Sequence, residues 1–291
     1  MRTHVTEIFM KHFIDRRSNR VAPLRLGLSL SLVCAGCVVA VHAGNVFVET
    51  STGQFGTLNP LTGSYSLIGN TTFANAPVTL GGLGYGPGGN LYGLDSSGSL
   101  YLVNVANAHL TQVGSTGLSL TAFWSFGGTS DGALYANWQK QLYSVNPATG
   151  AASPVGSGIG YYSDGGMNGD ASGHLYLVKY ANLGGAINGF SKVNRTTGEG
   201  TAVGDPNDDF QAAFGLAYTG GAMYAINDLG KIFQVNLADG STTLSSTYDV
   251  ATVGNVYAAA AQWTTVPEPA SAALVAGIGL GAFALLRRRS S

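Results

Sequence analysis

Cysteine and charge are both scarce in this chain of 291 residues. Asp, Glu, Lys and Arg together make up 10% of the sequence, whereas about 25% is typical of globular proteins. The two cysteines, Cys34 and Cys37, lie in one apolar run near the N-terminus. If that run is removed, no cysteine remains, which excludes disulfides, thiolate catalysis and Cys-ligated metal sites.

Basic residues are scarce in the middle of the chain, although the net charge of the whole sequence is only −1. Residues 44–266 contain five Lys or Arg and twelve Asp or Glu, and the other basic residues lie near the two ends. Nucleic-acid binding needs many cations that displace counterions from phosphates. The acidic middle therefore predicts no nucleic-acid partner, and the two basic ends need separate explanations.

Residues 1–43 have the composition of a secretory signal peptide. A basic segment up to Arg25 precedes an uncharged run from Leu26 to Val41, and Ala43 is the predicted cleavage site. Signal peptidase is thus a predicted partner. A membrane anchor is the alternative, but a run of 16 residues is shorter than the roughly 20 that span a bilayer.

The C-terminal residues 267–291 combine three features in a fixed order. The tripeptide Pro267-Glu268-Pro269 comes first, and its prolines favour an extended segment that joins neither a helix nor a sheet. The apolar run 270–286 follows and predicts a transmembrane helix near the lower length limit. The final feature is three basic residues, Arg287, Arg288 and Arg289. By the positive-inside rule, these arginines hold the C-terminus in the cytoplasm and leave the preceding domain in the periplasm.

This arrangement resembles the PEP-CTERM sorting signal of Gram-negative bacteria. The resemblance implies that an exosortase, a membrane protease-like transpeptidase, recognises Pro267, Glu268 and Pro269. It also implies transient retention in the inner membrane, followed by release to the cell surface or the extracellular matrix. Carriers of this signal generally occur in species that make exopolysaccharide. An ordinary tail anchor with an accidental Pro-Glu-Pro is the alternative.

A repeated unit fills residues 44–266. Each copy begins with a Gly-rich turn and a short strand that contains an aromatic residue, as in Gly89-Asn90-Leu91-Tyr92. A second strand leads into a turn from Asn to Gly, such as Asn146 to Gly150, and a third strand often ends in Val-Gly or Ile-Gly. The Asn landmarks stand at positions 59, 104, 146, 194 and 236, so the spacing is 42 to 48 residues. Propeller blades have a similar period of about 40–45 residues.

The repeats predict an all-β fold, a β-propeller of about five four-stranded blades. The strand that precedes each Gly-rich turn is predicted at Leu80–Tyr85, Thr121–Phe126, Tyr161–Met167 and Ala213–Tyr218. The first copy lacks this strand, and we expect the segment 255–264 to supply it, which pairs the N- and C-terminal strands of the domain. A solenoid of β-hairpins is the rival fold. The units also resemble generic propeller repeats of secreted bacterial proteins, and this resemblance implies a fold without a particular activity.

Candidate site residues in the repeats are few. Five aromatic residues could stack on a sugar ring, and they are Trp124, Trp138, Trp263, Tyr161 and Tyr162; packing between blades is the alternative. Trp138 is the best candidate for a ligand contact, because the polar segment Gln139-Lys140-Gln141 follows it. The acidic segment Asp205–Asp209 superficially suits Ca²⁺, but Phe210 and Leu216 stand where an EF-hand loop needs Gly and Glu. No catalytic residue, metal site or cofactor is predicted.

The sequence therefore predicts an exported, non-enzymatic protein of the cell surface or extracellular matrix, associated with exopolysaccharide or biofilm. Two alternatives stay open. One is a polysaccharide-active enzyme on a propeller scaffold, which a cluster of acidic and aromatic residues on one face would favour. The other is a scaffold that binds envelope proteins.

Overall fold

The computed structural model describes residues 44–122, 124–160, 162–163, 165–180, 187–204 and 212–263. Within these ranges the chain forms five four-stranded antiparallel sheets, named blades 1 to 5 in chain order, and one two-stranded hairpin. The predicted all-β fold of five four-stranded blades is therefore confirmed.

The strands follow one another along the chain, blade by blade. Blade 1 begins with β1 (Val46–Thr50), β2 (Gln54–Leu58) and β3 (Tyr65–Asn70). The small hairpin consists of β4 (Thr72–Phe73) and β5 (Ala76–Pro77). Blade 2 contains β6 (Leu80–Tyr85), a 3-10 turn (Pro87–Gly89), β7 (Leu91–Asp95), β8 (Ser99–Val103) and β9 (Leu110–Ser115). Blade 3 contains β10 (Trp124–Gly128), β11 (Leu134–Trp138), β12 (Gln141–Val145) and β13 (Ala152–Val155).

The second half of the chain has the same organisation. Blade 4 contains β14 (Met167–Gly169), β15 (Leu175–Tyr180), β16 (Ile187–Val193) and β17 (Gly200–Gly204). Blade 5 contains β18 (Ala213–Thr219), β19 (Ala222–Asn227), β20 (Lys231–Val235) and β21 (Thr242–Thr247). A short helix, α1 (Val250–Val253), leads to the last described strand, β22 (Val256–Ala260).

The last strand closes the ring by joining blade 1. β22 pairs antiparallel with β1, with Phe47 opposite Ala260 and Val48 opposite Ala259, so the strand order in this blade is β22-β1-β2-β3. The predicted closure by the segment after residue 255 is therefore confirmed. Each blade has one inner strand, which is β22, β6, β10, β14 or β18.

The hydrophobic core is divided among the interfaces between consecutive blades. The cluster that joins blade 5 to blade 1, for example, contains Tyr224 together with Val46 and Leu58. The aromatic residues that follow the Gly-rich turns are 4–8% exposed and belong to such clusters, and they are Tyr92, Tyr135, Tyr176 and Tyr224. Burying large aromatic surfaces at each interface provides much of the stabilisation that holds neighbouring blades together.

Small residues dominate the inner strands because neighbouring inner strands approach to backbone contact. A Cβ on Gly82 of β6 would lie 2.5 Å from the Cβ of Phe126 in β10, and one on Gly84 would lie 2.6 Å from the carbonyl carbon of Gly127. In β22, the alanines at 258–260 are buried in place of glycine. Residues with little or no side chain are therefore required where the five strands converge around the axis.

The Val-Gly ends of the outer strands contact the turn of the next blade. In blade 2, Gly114 lies so close to the turn of blade 3 that a Cβ there would overlap the carbonyl oxygen of Thr149. The register of β8 and β9 shifts between Leu100 and Tyr101, which leaves Val113 as the extra residue of a β-bulge. The Val-Gly motif of one blade thus contacts the Asn-to-Gly turn of the next blade.

Two inner strands begin later than the sequence pattern predicts. β10 covers Trp124–Gly128 rather than Thr121–Phe126, and β14 covers Met167–Gly169 rather than Tyr161–Met167. The predicted strand Thr121–Phe126 stops just before Gly127 and Gly128, because glycine is intrinsically poor in strands. Close packing at the axis requires glycine within the strands themselves.

The two predicted membrane-directed segments lie outside the described residues. These are the signal peptide 1–43 and the apolar run 270–286, and both stay predictions. Within the part of the chain that the structure describes, there is no helix with the length and apolar character needed to cross a membrane.

We expect Gly127→Ala to destabilise the protein strongly, because the added methyl group would overlap the carbonyl oxygen of Met167 in blade 4. Overpacking typically costs about 1–3 kcal/mol, and a clash with fixed backbone lies at the upper end of this range or above it. The free energy of unfolding in urea measures the effect.

Gly69→Ala is the matched control for this substitution. Gly69 also lies in a strand, but its Cβ would meet no atom closer than 3.4 Å. We expect this variant to lose less than about 1 kcal/mol. Equal losses for the two variants would contradict the crowding of the inner strands.

Candidate functional site

The five inner strands run in the same direction around the axis. Contacts between β18 and its neighbours illustrate this, since a Cβ on Gly166, just before β14, would contact Leu216, and one on Gly215 would contact Ala259 of β22. The corresponding contacts between β6 and β10 also advance together along both strands. The N-terminal ends of the inner strands therefore lie at one end of the axis, and their C-terminal ends lie at the other.

A cavity of about 380 Å³ lies at the N-terminal ends of the inner strands. All five blades contribute to it from an inner strand or from the segment just before one, and blade 2 adds Ser96 from the turn between β7 and β8. Its lining residues are Thr79, Gly81, Ser96, Trp124, Gly165, Phe214 and Tyr257. The volume falls within the range of roughly 300–1,000 Å³ that is typical of small-molecule sites.

Three aromatic side chains from three different blades line this cavity. Phe214 and Tyr257 form an edge-to-face pair with ring centroids 5.6 Å apart. Trp124 packs over Gly81, where a Cβ would lie 2.5 Å from the Cζ2 atom of the indole. Glycine at this position therefore makes room for the indole. Tyr257 is 41% exposed, although every other residue of β22 is buried.

Uncharged polar groups complete the lining of the cavity. Thr79 and Ser96 are exposed and carry hydroxyl groups, while Gly81 and Gly165 have no side chain to cover their backbone. None of the described lining residues is charged. Such a surface can stack on the apolar face of a ring and exchange hydrogen bonds with hydroxyl or amide groups.

Trp263 covers the opposite end of the axis. Its indole N–H donates to the carbonyl oxygen of Gly169 in blade 4 at 3.1 Å, and its ring packs edge-on against Tyr85 of blade 2, with centroids 6.2 Å apart. Because blades 2 and 4 are not neighbours in the ring, the indole crosses the end of the axis. Trp263 is also the last described residue, so the described chain ends at the face opposite the cavity.

Trp138, the predicted stacking residue, lies one strand away from the cavity. It pairs directly with Trp124 across β10 and β11 and packs against the core between blades 2 and 3. Its indole N–H is buried without a hydrogen-bond partner. The structure thus brings Trp124 to the cavity and places Trp138 beside it, and a ligand contact for Trp138 stays a prediction.

The sequence pattern did not single out Phe214 and Tyr257 as site residues. Trp124 is among the aromatic residues that the sequence offers for stacking, and one signal could have found the other two beside it. All three aromatic residues occupy the first or second position of an inner strand, ahead of glycine or alanine. A large aromatic residue at the start of an inner strand that is rich in glycine or alanine therefore indicates the end of the axis where the cavity lies.

Glu49 of β1 is a fully buried carboxyl group close to blade 2. Its Oε1 accepts hydrogen bonds from the hydroxyl of Thr71 at 2.5 Å and from the backbone N–H of Leu80 at 3.4 Å, while its Oε2 has no partner. Burial raises the pKa of Glu49 from 4.5 to about 8, although the two hydrogen bonds oppose the shift. Glu49 is therefore mostly protonated at neutral pH, and it does not line the cavity.

One match to a hydrolase motif has a structural role. Residues 128–132 fit the pattern G-x-S-x-G, but they form the turn between β10 and β11, and no helix follows to build a nucleophile elbow. Within this turn, Asp131 pairs with both guanidinium nitrogens of Arg195 in blade 4, at 2.8 and 2.9 Å. These hydrogen bonds hold the pKa of Asp131 well below its usual range. The turn therefore links two neighbouring blades.

Metal ligands are not clustered in the described part of the chain. No group of three or more His, Cys, Asp or Glu side chains there could hold a metal ion. Further predicted site residues lie outside the described ranges, and they are Ala43, Tyr161, Asp205–Asp209, Pro267, Glu268, Pro269, Arg287, Arg288 and Arg289. Their roles stay predictions.

The fold and the cavity define a five-bladed β-propeller with an aromatic-lined cavity at the N-terminal ends of its inner strands. No curated protein matches the sequence. A symmetrical protein, solved in work on its de novo evolutionary emergence under folding constraints, is similar at 15% identity over 74% of this chain and 97% of that chain, with a TM-score of 0.48. A catalytically inactive virginiamycin B lyase from Staphylococcus aureus, solved with quinupristin, is similar at 13% identity over 72% and 70% of the two chains, with a TM-score of 0.41. Identities this low carry no information about activity.

Residues 265–290 match the PEP-CTERM protein-sorting motif. The chain therefore carries the sorting signal that its C-terminal sequence resembles. The signal implies that the protein is exported in a Gram-negative bacterium, passes through a transient membrane-anchored state and is processed by an exosortase. The motif begins two residues after Trp263, so the sorting signal directly follows the propeller.

We expect Glu49→Gln to flatten the pH dependence of stability between about pH 5 and pH 8. The folded-state pKa of about 8 lies above the ordinary value of 4.5, so folding takes up a proton in this interval and stability falls as pH rises, by up to about 1.4 kcal/mol per pH unit. Glutamine stays neutral and can still accept the hydrogen bonds from Thr71 and Leu80. Urea unfolding across the pH range measures the slope.

The matched control is Glu199→Gln, which removes an exposed carboxyl group. This variant should keep the slope of the unsubstituted protein. If the Glu49→Gln variant also keeps that slope, Glu49 does not bind a proton on folding.

Proposed function

We propose that this protein is a non-enzymatic component of the cell surface or extracellular matrix, associated with exopolysaccharide or biofilm. The observation that carries the proposal is the sorting motif at residues 265–290, placed directly after a complete propeller. An exosortase would recognise Pro267, Glu268 and Pro269, and the arginines that follow the apolar run would retain the tail in the inner membrane until processing.

The positions of the cavity and of the C-terminal end of the described chain support a role at the cell surface, with the cavity exposed to the outside. Trp263 fixes the end of the described chain at one face, while the cavity opens at the other. The motif starts at residue 265, two positions after Trp263, and two residue steps span at most about 7 Å. Any attachment made through the C-terminal segment would therefore leave the cavity facing away from the point of attachment.

The cavity lining favours a binding role over a hydrolytic one. A polysaccharide-active enzyme would need carboxyl groups beside the aromatic rings, whereas the described lining residues offer hydroxyl groups and no carboxylate. The enzyme alternative would gain support if the purified protein released new reducing ends from the exopolysaccharide of its own host. The alternative of an envelope-protein scaffold stays open, and a pull-down from envelope fractions tests it.

We expect replacement of Pro267, Glu268 and Pro269 by alanine to block processing. In a host with a working exosortase, the unsubstituted protein should lose its tail and accumulate outside the inner membrane, because recognition of the tripeptide precedes release. The variant should keep its full mass after export and remain in the membrane fraction. Cell fractionation and intact mass spectrometry measure both properties.

A propeller proline provides the control for this experiment. Pro147 lies in the turn after β12, so Pro147→Ala also removes a ring from a loop but leaves the motif intact. This variant should be processed normally. Normal processing of the triple-alanine variant, or failure to export the unsubstituted protein, would contradict the proposal.

A further inference from the structure

We propose that the cavity at the N-terminal ends of the inner strands binds a neutral sugar unit. This inference rests on the proposed function and names the chemical class that the propeller would recognise in the matrix. It is carried by the aromatic and hydroxyl side chains that line this cavity, and by the position of Trp263 at the other end of the axis.

Tyr257 is the first indication of a ligand. Every other residue of β22 is buried and small or branched, yet this position carries a large ring that is 41% exposed. The ring contacts Phe214 edge-on from blade 5. Alanine would fill the same strand position without exposing apolar surface, so packing alone does not explain a tyrosine here.

The combination of groups selects a neutral, hydroxyl-rich ring. Aromatic faces pack against the C–H surfaces of a sugar, and the hydroxyl groups of Thr79 and Ser96 can each donate and accept a hydrogen bond. Trp and Tyr supply rigid, amphipathic contact area of the kind that stacking needs. The backbone of Gly81 and Gly165 also borders the cavity.

Charged ligands fit the cavity less well. A nucleotide could stack on the same rings, but its phosphates would need cationic partners, and the described lining residues include no Lys, Arg or His. An acidic sugar would also lack a cationic partner in the cavity, and the propeller domain, residues 44–266, has an excess of acidic residues. The neutral sugar is therefore the class that this lining favours.

Trp263 restricts the way in which the ligand can approach. The indole crosses the far end of the axis between blades 2 and 4, so a polysaccharide cannot thread through the ring. A sugar unit must approach from the face on which the cavity opens. That face is opposite the end of the described chain, which keeps it accessible on an anchored protein.

Calorimetric titration of the exported protein tests this proposal. The probes are cellobiose, chitobiose and the oligosaccharides that mild acid releases from the producing bacterium's own extracellular polysaccharide, with digalacturonate as the acidic comparison. We expect saturable binding of at least one neutral probe and no binding of digalacturonate. Absence of binding for every neutral probe would overturn the proposal, and so would tighter binding of digalacturonate.

Two variants locate the binding site, and a third serves as a control. Tyr257→Ala should weaken binding by about three- to ten-fold, the factor that one aromatic contact contributes, and Ser96→Ala should weaken it by a smaller factor. Both residues are exposed, so we expect the thermal midpoints to stay close to that of the unsubstituted protein. Tyr143→Ala, in β12 away from the cavity, should bind as the unsubstituted protein does. Unchanged affinity of the Tyr257→Ala variant would overturn the proposal.

Processing and location separate this proposal from the proposed function. Tail removal and delivery outside the inner membrane depend on the C-terminal motif, so they are measured on the unsubstituted protein without any sugar. A protein that is exported and processed but binds no neutral sugar overturns the cavity proposal alone. A protein that binds sugar but is never exported overturns the proposed function alone.

Discussion

Close approach of the five inner strands around the axis is the constraint on which the rest of this structure depends. At Gly82, Gly84 and Gly127, neighbouring strands lie so near that a single added Cβ would overlap another strand. Such proximity is possible only if the ring is closed, because an open array would let the inner strands move apart. The pairing of β22 with β1 supplies that closure, and it places the two ends of the domain in one sheet.

The candidate site follows from the same constraint. Where the strands are crowded, the axis has no room for a ligand. At their N-terminal ends, Trp124, Phe214 and Tyr257 replace small residues, and Gly81 leaves space for the indole of Trp124. At the C-terminal ends, the indole of Trp263 bridges blades 2 and 4. The ring therefore has two distinct faces, one where the cavity opens and one where Trp263 contacts blades 2 and 4.

Much of the architecture could be predicted from the sequence, because turns and repeats are local features. The spacing of the Asn-to-Gly turns indicated five blades, and the unpaired segment after residue 255 indicated the closing strand. The positions of β10 and β14 could not be predicted in the same way, because Gly127, Gly128 and Gly169 lie in these strands through contact with neighbouring blades. The match at residues 265–290 agrees with the tripeptide, apolar run and arginines that the sequence displays.

The site was harder to predict for a related physical reason. Whether a tryptophan in a strand packs between blades or faces the axis depends on where the five inner strands approach one another. A local sequence pattern does not predict this arrangement. Trp138 was therefore singled out from its polar neighbours, while Trp124, its partner across the sheet, lines the cavity. The buried carboxyl of Glu49 also depends on contacts with Thr71 and Leu80 that a local pattern does not reveal.

Disulfide cross-linking of the closing strand tests the central claim of a closed ring most directly. With Cys34 and Cys37 changed to alanine, cysteines at Val48 and Ala259 lie directly opposite each other across β1 and β22. We expect them to form one disulfide within a single chain, seen as a loss of two hydrogens in the intact mass. Cysteines at Val48 and Ala258 would point to opposite faces of the sheet and should stay reduced. An open ring would leave the Val48–Ala259 pair reduced or would link it between two chains, and either result would contradict the account.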